Sequence, residues 1–553
     1  MHGLSKKSVA FAPLVVLLLL AVAPGQAAAE ATLSVKSNTT LTADFAGNVV
    51  IAKDGVTLDC AGHRIVGSGH GRGVLVDNRR GVTVKNCDVS NFVTGFMVVS
   101  TSNSTFENNS SHDNVLANPS QTPGWISGAG FWMQASNGNA LLNNQIYDNA
   151  SDGLDVLNSA GNRIERNAVD RNLAGFFVFE KRSTNNTLRA NSAADNTFDG
   201  FAVATGASSN LLEDNHATGN DSGLGVFDAA TGNVLRNNAA ESNRNVGFLV
   251  ISGASGNALS GNTATDSPNG FVVADGGTSG NSLTGNSATG NGSGFVITTD
   301  AMDNQMANNT AESNTVHGYL LDLRASNNTV QGNTATANDS GFTIANGSSD
   351  NTLTGNTADS NTVDGFLVAG GSMRNSLDGN AATGNGRVGF AVLDQGTNDN
   401  ELTSNTASAN GIGGLAVFFG PSGNTLALNV STDNVSYGLA VRESAMNTLS
   451  GNTASGNENG IVIFHADENV VTGNTANENN SFGIDLDAAN RNEVMSNTAN
   501  LNGFIGIAAI NTASFNVFDG NTALNNVFRD AQNGTTTTGN VWTNNTFGTT
   551  FGI

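Results

Sequence analysis

Basic residues are scarce in this sequence, and their scarcity excludes several kinds of partner. The 553 residues include 23 Lys and Arg against 46 Asp and Glu, which gives a net charge of −23. A surface this negative repels nucleic acid and anionic lipid, so we predict neither as a partner. Charged residues make up only 12% of the chain, so amides, hydroxyls and glycines dominate the surface.

Long apolar runs and metal-binding motifs are also rare. Beyond residue 22, no segment approaches the roughly 20 apolar residues that a membrane-spanning helix needs. The seven histidines are scattered, without the HxxH or HExxH spacing of a metal enzyme. We therefore predict no membrane span and no histidine-based metal centre.

The first 29 residues have the pattern of a secretory signal peptide. Lys6 and Lys7 precede an apolar run from Pro13 to Val22, and residues 27–29 offer the small side chains of a cleavage site. The alternative is a retained anchor. We predict an exported protein, periplasmic or extracellular, whose mature chain starts near Glu30.

A repeat of 22 to 25 residues runs through most of the chain. Its marker is a glycine followed by an apolar pair, and one gap of 35 residues separates Gly95 from Gly130. The 19 marker glycines are Gly73, Gly95, Gly130, Gly153, Gly175, Gly200, Gly223, Gly247, Gly270, Gly294, Gly318, Gly341, Gly365, Gly389, Gly414, Gly438, Gly460, Gly483 and Gly506. A fixed period of this length indicates a solenoid.

Within one repeat, apolar and polar residues alternate with the two-residue period of a strand. In residues 351–368, Phe366 and Val368 are expected to face inward, with Leu353 and Ala358 inward on two shorter strands. Three strands per repeat predict an all-β fold, a single-stranded right-handed parallel β-helix of about 19 coils. The predicted domain spans 30–553, with an N-terminal cap at 30–53 and a C-terminal cap at 527–553.

Asparagines recur eight or nine residues before the marker glycines, at Asn262, Asn286, Asn309, Asn333, Asn356, Asn380 and Asn405. Stacked coil on coil, they are predicted to form an asparagine ladder in which each amide bonds to the next. Asparagine and glycine are both expected to supply left-handed backbone at sharp corners. We interpret this pattern as structural.

The first repeats resemble a known group of proteins. Residues 55–69, GVTLDCAGHRIVGSG, and 81–96, GVTVKNCDVSNFVTGF, resemble the opening of secreted pectin-lyase-like β-helix proteins of the carbohydrate-binding and sugar-hydrolase type. That group includes the NosD-type periplasmic copper-binding family. The resemblance covers the mature chain and implies a pectin-lyase-like solenoid, but the group's activities range from lyases and epimerases to adhesins and maturation factors.

The long gap holds an insertion near residues 118–128, and there we predict function, because long loops on solenoids are its usual place. Aromatic rings can stack on sugar faces while polar and acidic groups bind hydroxyls. The predicted substrate-binding residues are Trp125, Trp132, Gln134, Tyr147, Phe177, Phe179 and Glu180. The alternative is that these aromatic residues pack beneath the inserted loop.

Residues 147–156, YDNASDGLDV, resemble the calcium-binding stretch of family nine pectate lyases. The resemblance implies bound Ca²⁺ and a base one coil later, but Phe177 occupies the place of that family's lysine. Asp152 and Asp155 match two of that family's acids, and Ser151 occupies the place of a third. The predicted metal ligands are Asp148, Asp152 and Asp155, and the candidate catalytic bases are Lys181 and Arg182. The alternative for Asp152 is a turn cap, because Asp-Gly recurs at Asp199 and Asp364.

A second acidic patch occurs late in the chain. Asp485 and Asp487 are expected to lie beneath His465 and Asp467 on the neighbouring coil. Oxygen ligands on adjacent coils suit Ca²⁺. The alternative is a solvated acidic face.

The two cysteines end equivalent strands of the first two coils. That position places the Cα atoms of Cys60 and Cys87 about 5 Å apart, within reach of a disulfide. Export favours the bond, and a stacked pair of free thiols is the alternative. A copper site would depend on these cysteines with His63 and His70.

The sequence as a whole favours an exported β-helix protein that binds, and in the enzymatic case processes, a polysaccharide or cell-surface glycan. The expected site is the outward face of the main sheet, and the expected chemistry is Ca²⁺-dependent elimination by a lyase or epimerisation of a uronate. The alternative is a non-catalytic adhesin or a NosD-type periplasmic maturation factor. The sequence does not predict an oligomeric state.

Overall fold

The computed structural model describes residues 31–117 and 127–553, so the predicted signal peptide and Trp125 lie outside the described residues. Three parallel β-sheets wind around one axis, and nearly every coil adds one strand to each. We call them the main, second and third sheets, in the order in which a coil reaches them. Within the described ranges, no helix is long and apolar enough to cross a membrane.

The strands of the three sheets are short and regularly spaced. The main sheet contains Thr32–Val35, Asn48–Ile51, Arg72–Asp77, Thr94–Val99, Ala129–Gln134, Leu154–Leu157, Phe176–Phe179, Asp199–Ala204, Ser222–Val226, Val246–Val250, Asn269–Ala274, Ser293–Thr298, His317–Leu321, Ser340–Ile344, Phe366–Val368, Val388–Leu393, Gly413–Phe418, Tyr437–Arg442, Asn459–Phe464, Ile484–Asp487, Ile505–Ile510, Arg529–Asn533 and Thr550–Phe551. The second sheet contains Thr39–Thr40, Thr57–Asp59, Thr83–Lys85, Thr105–Glu107, Ala140–Leu142, Arg163–Glu165, Thr187–Arg189, Leu211–Glu213, Val234–Arg236, Ala258–Ser260, Ser282–Thr284, Gln305–Ala307, Thr329–Gln331, Thr352–Thr354, Ser376–Asp378, Glu401–Thr403, Thr425–Ala427, Thr448–Ser450, Val470–Thr472, Glu493–Met495, Val517–Asp519 and Val541–Thr543. The third sheet contains Phe45–Ala46, Arg64–Val66, Asp88–Ser90, Ser110–His112, Gln145–Tyr147, Ala168–Asp170, Ser192–Ala194, His216–Thr218, Ala239–Glu241, Thr263–Thr265, Ser287–Thr289, Thr310–Glu312, Thr334–Thr336, Thr357–Asp359, Ala381–Thr383, Thr406–Ser408, Val430–Thr432 and Thr453–Ser455, and Thr522–Ala523 and Thr546–Phe547 continue its line as a separate pair.

The predicted parallel β-helix is confirmed, with about 21 turns rather than 19. The difference arises at the ends, because segments expected only to cap the solenoid also wind as coils. Thr32–Val35 and Asn48–Ile51 start the main sheet, and Arg529–Asn533 and Thr550–Phe551 end it. The predicted inward residues Leu353, Ala358, Phe366 and Val368 are all buried in one continuous core.

Asparagine ladders fasten each coil to the next, and there are three of them rather than the predicted one. They run from Asn139 to Asn540, from Asn109 to Asn545, and from Asn114 to Asn526, the last interrupted by Ser267. The predicted ladder, Asn262 to Asn405, is the middle part of the second one. Each turn between two sheets therefore has its own column of buried amides.

Asn333 shows the bonding of one ladder position. Its Nδ2 donates to the carbonyl of Met306 at 3.0 Å and to Asn356 Oδ1 at 3.1 Å. Its Oδ1 accepts from the backbone N–H and the Nδ2 of Asn309, at 2.8 and 3.0 Å. The side chain thus links three successive coils and satisfies backbone groups that the strands leave unpaired.

The ladder asparagines and the marker glycines were predicted to adopt left-handed backbone, but other residues adopt it. The residue before the ladder asparagine adopts it, with φ +62° at Gly332 and +61° at Gly355. The marker glycines instead allow the backbone of the next coil to pack closely against their own. A Cβ on Gly365 would lie 2.7 Å from the carbonyl oxygen of Gly389 and 2.9 Å from Asn385 Nδ2, so neighbouring coils leave no room for it.

Aromatic rings inside the core repeat at the coil spacing. Seven rings on consecutive coils stack with centroids 4.5 to 4.9 Å apart and planes within 8°. They belong to Phe248, Phe271, Phe295, Tyr319, Phe342, Phe366 and Phe390. The stack keeps the coils in register and so aligns the rows of side chains on the outer surface.

A disulfide joins Cys60 to Cys87 across the first coils, with their Cα atoms 4.8 Å apart. Of the predicted C-terminal covering residues, Trp542 and Phe547 pack against the end of the core, while Phe551 stays 40% exposed.

Candidate functional site

The outer face of the main sheet presents one row of side chains, two residues after each marker glycine. Backbone pairing aligns Trp132, Asp155, Phe177, Ala202 and Gly225 on consecutive coils, in the predicted order. We call this the outer row. It brings the predicted aromatic and acidic residues side by side.

Trp132 is buried rather than exposed, contrary to the predicted open sugar-stacking surface. Only 1% of the side chain meets solvent, because it packs with Met97, Leu157 and Phe179 on the outer side of the sheet. Its Nε1 donates to Gln134 Oε1 at 3.3 Å. This cluster forms a closed apolar end of the outer face.

Asp155 lies beside Trp132 in the outer row and is likewise 1% exposed. Its carboxyl hydrogen-bonds to the half-buried carboxyl of Asp152, and neither of its oxygens has another partner from the rest of the described chain. Burial and the charge of Asp152 raise the pKa of Asp155 well above its usual value, and burial raises the pKa of Asp152 to about 6. The pair therefore holds a proton near neutral pH.

Tyr147 and Asp148 lie elsewhere. Tyr147 ends a strand of the third sheet, and Asp148 lies in the turn that follows this strand. Asp148 accepts two hydrogen bonds from Arg171, at 2.8 and 2.9 Å, and Tyr147 stacks on His112 with centroids 4.8 Å apart. The structure thus separates Asp148 from Asp152, and Tyr147 from the outer row.

The predicted three-carboxylate calcium set therefore does not assemble. In residues 31–117 and 127–553, no three His, Cys, Asp or Glu side chains come together as a metal site. Two adjoining carboxyls supply few of the six to eight oxygen ligands that Ca²⁺ takes. Calcium binding stays a prediction.

The candidate bases lie in the turn that ends the strand Phe176–Phe179. Glu180 is half-buried with φ +77°, and Lys181 and Arg182 are exposed. Lys181 lies in this turn, two residues beyond the end of the strand, and its side chain lies against Gly206 of the next coil. The structure does not bring these cations to the acid pair.

A cavity of about 220 Å³ opens on the three coils that follow Phe177 in the outer row. Ala202, Gly225 and Leu249 are the outer-row residues of these coils. A Cβ on Gly225 would lie 3.0 Å from the Phe227 ring and 3.6 Å from Asp199 Oδ1, so the glycine allows the Phe227 ring, which lines the cavity, to pack against the sheet. The cavity lining includes Phe198, Asp199, Asp221, Phe227, Leu249 and Ile251.

Asp199 is the buried acid of this cavity, and the sequence suggested for it only a turn. The Ser222 hydroxyl donates a hydrogen bond to its carboxyl, but burial and the charges of Asp221 and Asp152 raise the pKa of Asp199 to about 7. On the opposite side, Phe227 lies 6.3 Å from Phe177 between ring centroids. A proton-bearing acid thus faces aromatic rings across an open space.

The sequence of this chain matches two family models. Residues 49–209, 135–288 and 241–382 match the family model for the right-handed beta helix region, and together these segments span more than half of the chain. The chain belongs to this β-helix family. Residues 398–552 of this β-helix protein match a second model, the periplasmic copper-binding protein NosD.

The chain is similar in part to solved structures of low sequence identity, while no curated protein matches the sequence. A double mutant of the periplasmic alginate epimerase AlgG is 14% identical, with a TM-score of 0.37 over 58% of this chain and 78% of that one. The pre-mature bacteriophage phi29 gene product 12 is 10% identical, with a TM-score of 0.44 over 80% and 68%. Pectate lyase Pel9A is 14% identical, with a TM-score of 0.27 over 56% and 70%.

Proposed function

We propose that this protein is exported and binds a polysaccharide along the outer face of its main sheet, with one sugar unit in the cavity beside Asp199. The observation that carries the proposal is the recess itself, a cavity of about 220 Å³ in which Asp199 and Asp221 lie with Phe198, Phe227 and Leu249. Mostly apolar recesses with a few convergent polar groups are the usual form of small-ligand sites.

The chemistry of the recess suits a sugar. Phe198 and Phe227 offer apolar surface to the C–H face of a pyranose ring, and Asp199 and Asp221 offer hydrogen bonds to its hydroxyls. The net charge of −23 disfavours acidic polysaccharides in the absence of a bridging cation. Neutral glycans are therefore the expected first ligands, with acidic ones dependent on divalent cation.

Equilibrium binding tests this proposal directly. Titration calorimetry with neutral glucan and xylan, and with polygalacturonate and alginate with and without Ca²⁺, is expected to show saturable binding to at least one. Gly225→Leu should abolish that binding, because the added side chain would displace the Phe227 ring, which lines the recess and lies 3.0 Å from the position of the new Cβ. Asp378→Asn, at an exposed position of the second sheet, should leave it unchanged. Absence of binding across the panel would overturn the proposal.

Processing of the bound glycan stays a prediction. Asp199 supplies a proton donor, but Lys181 and Arg182 lie away from the acid pair, so the structure adds no partner base from the predicted set. Incubation of the binding polysaccharide, followed by absorbance of unsaturated ends and NMR of uronate stereochemistry, distinguishes elimination and epimerisation from binding alone.

A second candidate function is that of a periplasmic accessory protein, and the NosD match over residues 398–552 favours it. The disulfide removes Cys60 and Cys87 as thiolate ligands, so copper could not use the predicted cysteines while they are bridged. Metal analysis after dialysis against copper tests this candidate. Retained copper with no glycan binding would favour it over the first proposal.

A further inference from the structure

A second hollow, of about 340 Å³, opens on the outer side of the third sheet. It is lined by Gln145, Tyr147, Ala168, Asp170 and Arg171, and we call it the Tyr147 hollow. The strand register places Gln145 beside Ala168 and Tyr147 beside Asp170, so the lining combines side chains of two adjoining coils. The Tyr147 hollow shares no lining residue with the recess on the main sheet.

The ring of Tyr147 is held in place from the side of the preceding coil. It stacks on His112 with an interplanar angle of 2°, and the two nitrogens of His112 each lie 2.7 Å from a carboxyl oxygen, of Asp88 and of Asp113. The other face of the ring is turned to the following coil, which lines the hollow, and the guanidinium of Arg171 lies 5.7 Å from the ring centroid. A fixed aromatic ring of this kind offers apolar surface to the C–H face of a sugar.

The polar side chains of the hollow keep hydrogen-bonding groups for a ligand. Asp170 Oδ1 accepts from the backbone N–H of Ala194 at 3.1 Å, and Oδ2 accepts no hydrogen bond from the described chain. The amide of Gln145 is exposed and likewise forms none with the residues described. Arg171 donates through Nε and Nη2 to Asp148, which leaves Nη1. Sugar hydroxyls both donate and accept, so they can pair with all three groups.

The charges around the hollow favour an uncharged ligand. Two hydrogen bonds to Asp148, at 2.8 and 2.9 Å, compensate the positive charge of Arg171, and Asp170 adds a carboxyl. The net charge of −23 also repels anions from the surface as a whole.

An exposed apolar corner connects the Tyr147 hollow with the recess on the main sheet. Leu173 follows the third-sheet strand and is 38% exposed, and Phe198, which lines the recess, is 47% exposed. The two residues lie on adjacent coils, because the backbone N–H of Phe198 donates to the carbonyl of Leu173 at 2.8 Å. Asp199 lies on the second coil after that of Tyr147, about 10 Å along the axis at one strand spacing per coil.

We infer that the Tyr147 hollow binds a second, uncharged sugar unit of the polysaccharide held in the recess, with the chain crossing the corner at Leu173 and Phe198. The inference rests on the proposed function. One sugar unit makes few contacts in the hollow, so this contact adds affinity only when the recess holds the same chain. The second contact is then intramolecular, and we expect a chain that reaches both places to bind about 10-fold or more tightly than a short fragment.

Oligosaccharides of two lengths test this inference. Disaccharides and decasaccharides of the neutral glycan bound most tightly in the calorimetric panel are titrated against wild type and Ala168→Tyr. Ala168 is an outward position of its strand, so the new ring fills the hollow. Wild type is expected to prefer the decasaccharide, and Ala168→Tyr to lose that preference while binding the disaccharide normally.

Two further variants make the result specific to the hollow. Ala239→Tyr places the same ring in the same row three coils further on, outside the hollow, and should retain the preference. Gln145→Ala removes one exposed amide without filling the hollow and should weaken decasaccharide binding about 5-fold. Urea midpoints of the variants show whether a coil is damaged, and Gln145→Ala decides the test if Ala168→Tyr does not fold.

The outcomes separate this inference from the proposed function. Equal affinity for the two lengths, a preference unchanged in Ala168→Tyr, or an equal loss in Ala239→Tyr would overturn the Tyr147 contact and leave the recess standing. Binding of acidic glycans alone would overturn the uncharged ligand. Absence of binding by every glycan would overturn both claims.

Discussion

Asp199→Asn is the substitution that most sharply tests the electrostatics of the recess. The amide has nearly the shape of the carboxyl and can keep the hydrogen bond with Ser222, but it cannot ionise. Wild-type Asp199 must either keep a proton or place a charge among Phe198, Phe227 and Leu249. The difference between the two proteins therefore isolates the free energy of ionising this one buried group.

The sign and the size follow from the raised pKa. The pKa of Asp199 is about 7 in the folded protein against 3.8 for a free carboxyl, so between these values the folded state binds more protons than the unfolded state. Wild-type stability is then fully present below about pH 4 and falls as the pH rises towards 7. A difference of about 3 pH units corresponds to at most about 4 kcal/mol.

Urea unfolding followed by circular dichroism at pH 4 and pH 8 measures this difference. Wild type and Asp199→Asn should have similar midpoints at pH 4, and the variant should be the more stable of the two at pH 8. Asp485 also carries a raised pKa, but it is far away and contributes equally to both proteins. The charges of Asp221 and Asp152 raise the pKa of Asp199, so removing the Asp199 charge eases their ionisation and acts in the same direction at pH 8. Asp378→Asn, at an exposed position, serves as the control without a pH-dependent gain. An Asp199→Asn difference that is equal at both pH values would refute the reasoning.

Three further predictions concern the asparagine ladder, the disulfide and the predicted calcium ligand Asp148. Asn333→Ala should lower the free energy of unfolding by about 3 kcal/mol, because four buried hydrogen bonds lose a partner. Asn245→Ala, at an exposed position, is the control and should change the midpoint of urea unfolding little. Equal effects of the two substitutions would contradict the ladder account. Mass spectrometry of the unfolded, alkylated protein should show Cys60 and Cys87 blocked without reductant and alkylated with it; alkylation in both samples would show free thiols. Asp148→Asn should leave any calcium dependence of glycan binding unchanged in calorimetry, and its loss would place Asp148 back in the ligand set.

The fold could be predicted from the sequence because a solenoid repeats its own contacts. Each marker glycine lies where the next coil approaches within van der Waals distance, so the close packing itself imposes the period. Two of the three ladders were missed, although their signal is present: asparagines recur every five residues at Asn351, Asn356 and Asn361. The coil count was low because the end coils lack the marker glycine.

The site was predicted only in part, because the solvent exposure of a side chain on the sheet depends on the side chains of several neighbouring coils. The outward direction of Trp132 and Asp155 follows from strand alternation, but their burial follows from the side chains of neighbouring coils. The recess combines Asp199, Asp221 and Leu249 from three successive coils. The repeat predicts which coils adjoin, but it does not predict how their larger side chains pack around a cavity.

A crystal structure of the protein with an oligosaccharide from the best-bound polysaccharide tests the central claim most directly. The account predicts a sugar ring in the recess lined by Phe198, Phe227 and Asp199, with a hydroxyl or ring oxygen within hydrogen-bond distance of the Asp199 carboxyl. A saturating ligand bound on the second or third sheet, with the recess filled only by water, would contradict it.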